Sequence, residues 1–248
     1  MPPASREKTR PSVFWPLAAI AAPLIALMFK LEIQGAEKLP REGAYVLAPN
    51  HYSEADPLAV ALAVWKAGRA PRFMAKESLF RVPVLGAVLR ATGMVPVARA
   101  SSAASARQTL ETSETLVRLG RGVIVYPEGT LTREPDLWPM RGKTGAVRLA
   151  LADDIPVIPM AHWGVQQVMP RYGKLKVWPL RRRVRVLFGD PVDLTAYQAE
   201  GPVNLAGATD RVMADIAELL AQLRGESAPA ERWNPADHGQ KETGRLEP

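Results

Sequence analysis

The chain has 248 residues, 47% of them hydrophobic, enough for one large α/β domain or two small ones with a sizeable core. It contains no cysteine, which excludes a disulfide framework and any thiolate nucleophile or metal site. The formal net charge of +7 favours an anionic partner: nucleic acid, an acidic membrane surface or a phosphorylated substrate.

Residues 1–11 are polar and basic, with Arg6, Lys8 and Arg10. An uncharged run, VFWPLAAIAAPLIALMF, then extends from Val13 to Phe29 and is closed by Lys30. As a helix, its length of about 25 Å falls short of the roughly 30 Å hydrocarbon core of a bilayer. Pro16 and Pro23 interrupt it. Proline is costly in a water-exposed helix and better tolerated in a membrane segment. No convincing small-residue cleavage site precedes Lys30. Residues 1–30 are therefore expected to be a re-entrant or shallowly inserted membrane anchor; the alternative is a helix buried in a soluble core.

Strand-like and helix-like runs alternate from there. LEIQG (31–35) and AYVLAPN (44–50) read as strands. Asp56-Pro57 opens a helix to about Lys66, with Asp as a good cap and Pro as a good first residue. RFMAK (72–76) reads as a short strand, VPVLGAVLRAT (82–92) as a helical surface segment and MVPVAR (94–99) as a strand. A helix over 101–119 and the apolar strand GVIVYP (122–127) follow, then a helix over 143–152 and the strand IPVIPMAH (155–162). KLKVWPL (174–180) and RRVRVLFG (182–189) look like two more strands, and a last helix covers about 208–223. The segment 225–248, rich in Gly, Pro and charge, is expected to be disordered. This alternation predicts a single α/β domain over 31–224 around a mainly parallel sheet flanked by helices.

Several polar residues fall at the C-terminal ends of these strands, the edge where open α/β sheets tend to bind ligands. They are His51, Lys76, Arg99 and the Glu128-Gly129-Thr130 turn. A neutral imidazole can take a proton from an alcohol while a carboxylate fixes its tautomer, so His51 and Asp56 can form a general-base pair. Equally, His51 can satisfy a loop hydrogen bond while Asp56 caps its helix. In VYPEGTLTRE, Gly129 allows close approach by an anion, Thr130 and Thr132 supply hydroxyls, and Arg133, Arg141 and Lys143 lie close by; an ordinary surface turn is the alternative. His162 has no second His or Cys at metal-site spacing, so it reads as structural and no metal is expected. The basic run RYGKLKVWPLRRRVRV (171–186) contains no acidic residue. Either it is a solvated strand face or, with Trp178, a patch for anionic lipid headgroups. No nucleic-acid-binding motif surrounds it.

The blocks NHYSEAD, KESLFRVPVLGAVLRATGMVPVAR, VYPEGT and IPVIPMA occur in that order between Leu31 and Pro191. Together they resemble the 1-acyl-sn-glycerol-3-phosphate acyltransferase family, within the wider glycerolipid acyltransferases. The resemblance implies acyl transfer from acyl-CoA or acyl-carrier protein, as donor substrate, to the free hydroxyl of lysophosphatidate, giving phosphatidate with no acyl-enzyme and no cofactor. His51 would be the base and Asp56 its orienting partner. Lys76 would stabilise the developing oxyanion, and Arg99 with Glu128, Gly129 and Thr130 would hold the acceptor's phosphate. Val157, Ile158 and Pro159 would help form the acyl pocket. The expected partners are membrane lipids, the acyl donor and a lysophospholipid, with no nucleic acid, at the cytoplasmic face of the cell membrane. The family usually reads Pro-Glu-Gly-Thr-Arg-Ser, whereas Leu131 and Thr132 follow Thr130 here. Either Arg133, Arg141 or Lys143 replaces the missing arginine, or the acceptor is another lysophospholipid or a glycolipid. A non-catalytic lipid- or nucleic-acid-binding protein has no need of the His51–Asp56 pair.

Overall fold

The computed structural model describes residues 12–97, 103–198, 203–242 and 244–245. Its centre is a five-stranded sheet in which β1 (Phe29–Gln34), β7 (Arg182–Phe188), β6 (Val157–Trp163), β2 (Tyr45–Pro49) and β5 (Gly122–Ile124) lie side by side in that order. β5, β2 and β6 run parallel, and β1 and β7 run parallel to each other, but β6 and β7 are antiparallel. A second, two-stranded parallel sheet, β3 (Met74–Lys76) and β4 (Val95–Val97), joins the first through a bridge between Phe73 and Ile124.

The apolar strands are continuous rather than alternating because both faces of the sheet are covered. Along β2, Tyr45 and Leu47 face one core, built with β7 and helix α2 (Asp56–Lys66). Val46 and Ala48 face the other, where α5 (Gly145–Ala152) and α6 (Leu205–Arg224) pack. Helices α3 (Leu85–Ala91) and α4 (Ala103–Leu119) complete the flanking layers. The predicted α/β domain with a mainly parallel sheet is thus the observed one.

The hydrophobic N-terminal run forms α1 (Phe14–Met28) with Pro23 inside it. Among the described residues no helix is long and apolar enough to cross a membrane. Ile25 and Met28 pack against the core while Ile20, Leu24 and Leu27 stay exposed.

Two expectations fail. KLKVWPL is not a strand: residues 174–180 form an exposed loop, and with β1 and β6 already on either side of β7 the segment cannot pair as a hairpin with the strand that follows it. Nor is 225–242 structureless. Trp233 stacks on His238 with ring centroids 3.5 Å apart, its carbonyl accepts from the Arg141 amide at 2.9 Å, and Pro235 is buried. Arg232 adds an ion pair to Asp210 on α6 at 2.7 Å. Two well-placed apolar residues give this polar segment a docking point that its average composition hides.

Candidate active site

Because β2 and β5 are parallel neighbours, the loops that leave their C-terminal ends meet. The first carries His51 and the second Glu128. His51 lines a cleft of about 570 Å³ together with Lys76, Tyr126, Gly129 and Lys143.

Asp56 is the hinge of the His51 loop. It is the first residue of α2, yet its carboxylate does not cap that helix; Ala55 occupies the cap position and no side chain bonds there. Instead Oδ2 turns back and accepts the backbone N–H groups of Tyr52 at 2.7 Å and Ser53 at 2.8 Å, with His51 Nδ1 at 3.0 Å. The cap alternative is thereby removed. With two amides already donating to Oδ2, Nδ1 must be the protonated nitrogen, so Nε2 is left as the acceptor. Asp56 is fully buried, while the His51 side chain keeps 16% of its surface open. The Tyr126 ring stacks on the imidazole with centroids 4.0 Å apart. Burial, followed by the charge of Asp56, pushes the Tyr126 hydroxyl well above its ordinary range, so it stays neutral beside the histidine.

Glu128 plays a different part from the one the resemblance implies. It is fully buried; Oε1 accepts the His51 amide at 2.9 Å and Oε2 the Met140 amide at 3.1 Å. Burial pushes its carboxyl up to about 8, against those amides, which pull it down. An inward-turned carboxyl group is no phosphate ligand. It ties the catalytic-edge loop of β2 to that of β5. The carbonyl of His51 closes the tie by accepting from the Thr132 amide at 2.7 Å.

The remaining expected residues divide. Gly129 adopts φ +70°, and a Cβ there would lie 3.1 Å from Lys143 Cδ, so the lysine side chain crosses directly over the glycine. The Lys143 amide donates to the Pro127 carbonyl at 2.7 Å, which fixes the turn beneath it. Lys76 and Lys143 both line the cleft. Thr130 Oγ1 and Arg133 Nη2 each donate to the Gly244 carbonyl at 3.3 Å. Arg133 is 2% exposed and does not reach the cleft, which corrects its expected role. Leu131 is likewise buried. Arg99 lies outside the described residues. The acyl-pocket expectation for Val157, Ile158 and Pro159 is also corrected: all three are buried in β6, Val157 and Ile158 in the two cores, and none of them lines the cleft. A strand with both neighbours paired and both faces covered has no surface left for a ligand.

Sequence reasoning missed the supports from Asn50 and Arg171, and of His162 it had only the structural role. Asn50 exchanges two hydrogen bonds with the backbone of His162, at 2.9 and 3.1 Å, and locks the end of β2 to β6. His162 has Nε2 3.0 Å from the Asn50 carbonyl and Nδ1 3.0 Å from the Tyr52 hydroxyl. Since a carbonyl only accepts, Nε2 carries the proton and Nδ1 takes that of Tyr52; burial lowers the histidine's pKa, in keeping with this neutral form. Arg171 Nη1 donates to the carbonyls of Thr132 and Glu134 at 2.7 and 2.8 Å, bracing the loop after the Pro-Glu-Gly-Thr turn. The Tyr126 stack had a signal, an aromatic residue just ahead of Pro127-Glu128; the other contacts are long-range and had none.

A family model described as Acyltransferase matches residues 30–163. Among curated proteins, the chain is 31% identical over 179 residues to the chloroplastic 1-acyl-sn-glycerol-3-phosphate acyltransferase BAT2 of Brassica napus, covering 71% of this chain and 50% of that one. It is 28% identical over 131 residues to the 1-acyl-sn-glycerol-3-phosphate acyltransferase of Borreliella burgdorferi, covering 53% of this chain and 50% of that protein. The chain thus spans about half the length of these relatives. The crystal structure of the 1-acyl-sn-glycerophosphate acyltransferase PlsC from Thermotoga maritima superposes with a TM-score of 0.61 over 90% of this chain and 81% of that one, at 20% identity, and shows a shared fold.

Proposed function

The chain belongs to the acyltransferase family that includes the 1-acyl-sn-glycerol-3-phosphate acyltransferases, and from that premise we propose that it acylates the free hydroxyl of lysophosphatidate to give phosphatidate. The observation that carries the reading is the His51–Asp56 hydrogen bond of 3.0 Å, held by two backbone amides beside a cleft lined by Lys76 and Lys143. His51 Nε2 takes the proton of the acceptor hydroxyl as its oxygen attacks the thioester carbonyl of acyl-CoA or acyl-carrier protein. A C–O bond forms, the C–S bond breaks, and the proton passes from the imidazolium to the departing thiolate. Asp56 holds the productive tautomer and offsets the transient charge. Lys76 and Lys143 neutralise the acceptor's phosphate and the developing oxyanion.

The acyl chain has a better host than β6. An apolar groove of about 240 Å³ runs between α1, α2 and α3, with Phe73 and Met94 among its lining residues. Phe73 stacks near Tyr126, with centroids 6.2 Å apart, and Tyr126 stacks on His51, so one aromatic row links groove and base. The exposed apolar side of α1 favours work at a membrane surface.

Buried Leu131 supports a second reading, in which the same chemistry acts on another lysophospholipid or a glycolipid. The test is an assay of the purified protein with both donor types against lysophosphatidate and a panel of other lyso-acceptors. Phosphatidate formation that depends on His51 supports the first reading, turnover only on an acceptor without a terminal phosphate selects the second, and no transfer to any acceptor refutes both.

A further inference from the structure

The antiparallel step between β6 and β7 has a geometric result. It turns β7 and β1 around, so their N-terminal ends lie at the same sheet edge as the C-terminal ends of β2, β6 and β5. The register fixes the level: Pro49 pairs with Met160, His162 with Val186, and Phe29 with Arg182. What precedes Phe29 and Arg182 therefore stands beyond the His51 edge, by roughly 15 Å at the usual strand rise. Before Phe29 comes α1. Before Arg182 comes the loop 174–181. The two are joined directly, since the Arg181 amide donates to the Leu27 carbonyl at 2.8 Å.

Both present apolar surface to solvent. On α1, Leu17, Ile20, Leu24 and Leu27 recur at helical spacing and are exposed, Ile20 by 68%. In the loop, Leu175, Val177, Trp178 and Leu180 are all exposed, Trp178 by 77%. Burial in this chain cannot explain them. The cations Lys174, Lys176 and Arg181 alternate with them, all exposed, and no acidic residue occurs between Asp154 and Asp190. The two arginines that follow Arg181 are engaged: Arg182 Nη2 donates to the Trp178 carbonyl at 2.6 Å, and Arg183 pairs with Glu32 at 2.7 Å. The former holds the loop base; the latter is neutralised.

We propose that the 174–181 loop is a second membrane-inserting element, which acts with α1 to seat the His51 edge of the sheet on an anionic bilayer. Alternating cations and apolar side chains around an exposed tryptophan match the headgroup–acyl boundary, where Trp keeps its ring in the interface and Lys and Arg reach the phosphates. A protein partner would need complementary acidic and apolar patches; a bilayer supplies both along its whole surface. Two contacts rather than one also fix orientation, so that a lipid acceptor leaving the bilayer meets the cleft. The choice of lipid as occupant rests on the acyltransferase reading.

The experiment uses the full chain and protein-free vesicles of phosphatidylcholine, with or without phosphatidylglycerol. Trp178→Ser with Leu175→Ser should weaken binding about tenfold or more on both vesicle types, and Lys174→Gln with Lys176→Gln should do so only on the anionic ones. Brominated lipids should quench the parent's fluorescence more than that of Trp178→Phe. Unchanged binding in both double variants, or equal quenching in Trp178→Phe, overturns the proposal, as does failure of the parent to bind bare vesicles, which would point to a protein partner. Turnover of a short-chain acceptor free in solution should be the same in all variants. If even the parent lacks that turnover the acyltransferase reading fails, whereas the vesicle results still judge the loop.

Discussion

The two sides of the cleft are built differently. On the His51 side the constraints are short-range contacts: three donors converge on Asp56 Oδ2, Glu128 clamps the His51 amide, and the Tyr126 ring stacks on the imidazole. On the cation side, Lys76 ends a three-residue strand of a two-stranded sheet and Lys143 crosses a glycine turn. Proton transfer needs its partners placed within a fraction of an ångström, and several hydrogen bonds converging on one carboxylate oxygen give that. Attraction between a phosphate and a lysine falls off slowly with distance, so a long flexible side chain serves.

This contrast can be broken most sharply at the base. His51→Ala should lower kcat by about two to four orders of magnitude with an unchanged melting temperature. Asp56→Asn should cost at least about a hundredfold, read in the same assay, although its amide oxygen can still accept the Tyr52 and Ser53 amides. Near-normal turnover in Asp56→Asn would show that the carboxylate does no more than hold its loop.

Glu128 tests whether the rigid side is rigid because of buried groups. Below about pH 4.5, where the carboxyl is protonated in both the folded and the unfolded chain, Glu128→Gln should destabilise the fold by about 2 kcal/mol in denaturant titration, since both carboxyl oxygens can accept an amide and the Gln nitrogen cannot. The carboxyl's folded value of about 8 lies above its ordinary 4.5. As pH rises the unfolded chain therefore loses this proton first. Its contribution is full below about 4.5 and is lost as pH climbs towards 8. The glutamine variant should lack this slope, and an identical pH dependence in the two proteins would exclude Glu128 as its source.

The cation side should answer differently. Lys143→Ala should raise the Michaelis constant for a phosphate-bearing acceptor by about tenfold and that of an uncharged one little, while Arg133→Ala, buried against Gly244, should affect melting more than that constant. The opposite pattern would return Arg133 to the phosphate site. The smallest effect should come from Arg183→Ala. Its exposed pair with Glu32 is expected to contribute under about 1 kcal/mol, and a thermal melt checks this.

Local pattern in the sequence was enough for the alternation of strands and helices, the apolar run of α1, and the meeting of His51 with Asp56, because each depends on residues a few positions apart. The turn at Gly129 was legible for the same reason. The direction in which Glu128 points was not, since that depends on the amides of His51 and Met140, which only the folded chain brings to it. Arg133 and Lys143 look alike as charges near a turn; the burial of Arg133, whose guanidinium donates to the Gly244 carbonyl, separates them, and burial is a property of packing. The KLKVWPL run has the alternation of a strand, yet β7, its neighbour in sequence, is paired on both sides by β1 and β6, so no local hairpin forms. The same placement, through one antiparallel step, set that loop and α1 beside the catalytic edge. Strand order is chosen by long-range contacts, so no stretch of the chain read on its own carries it.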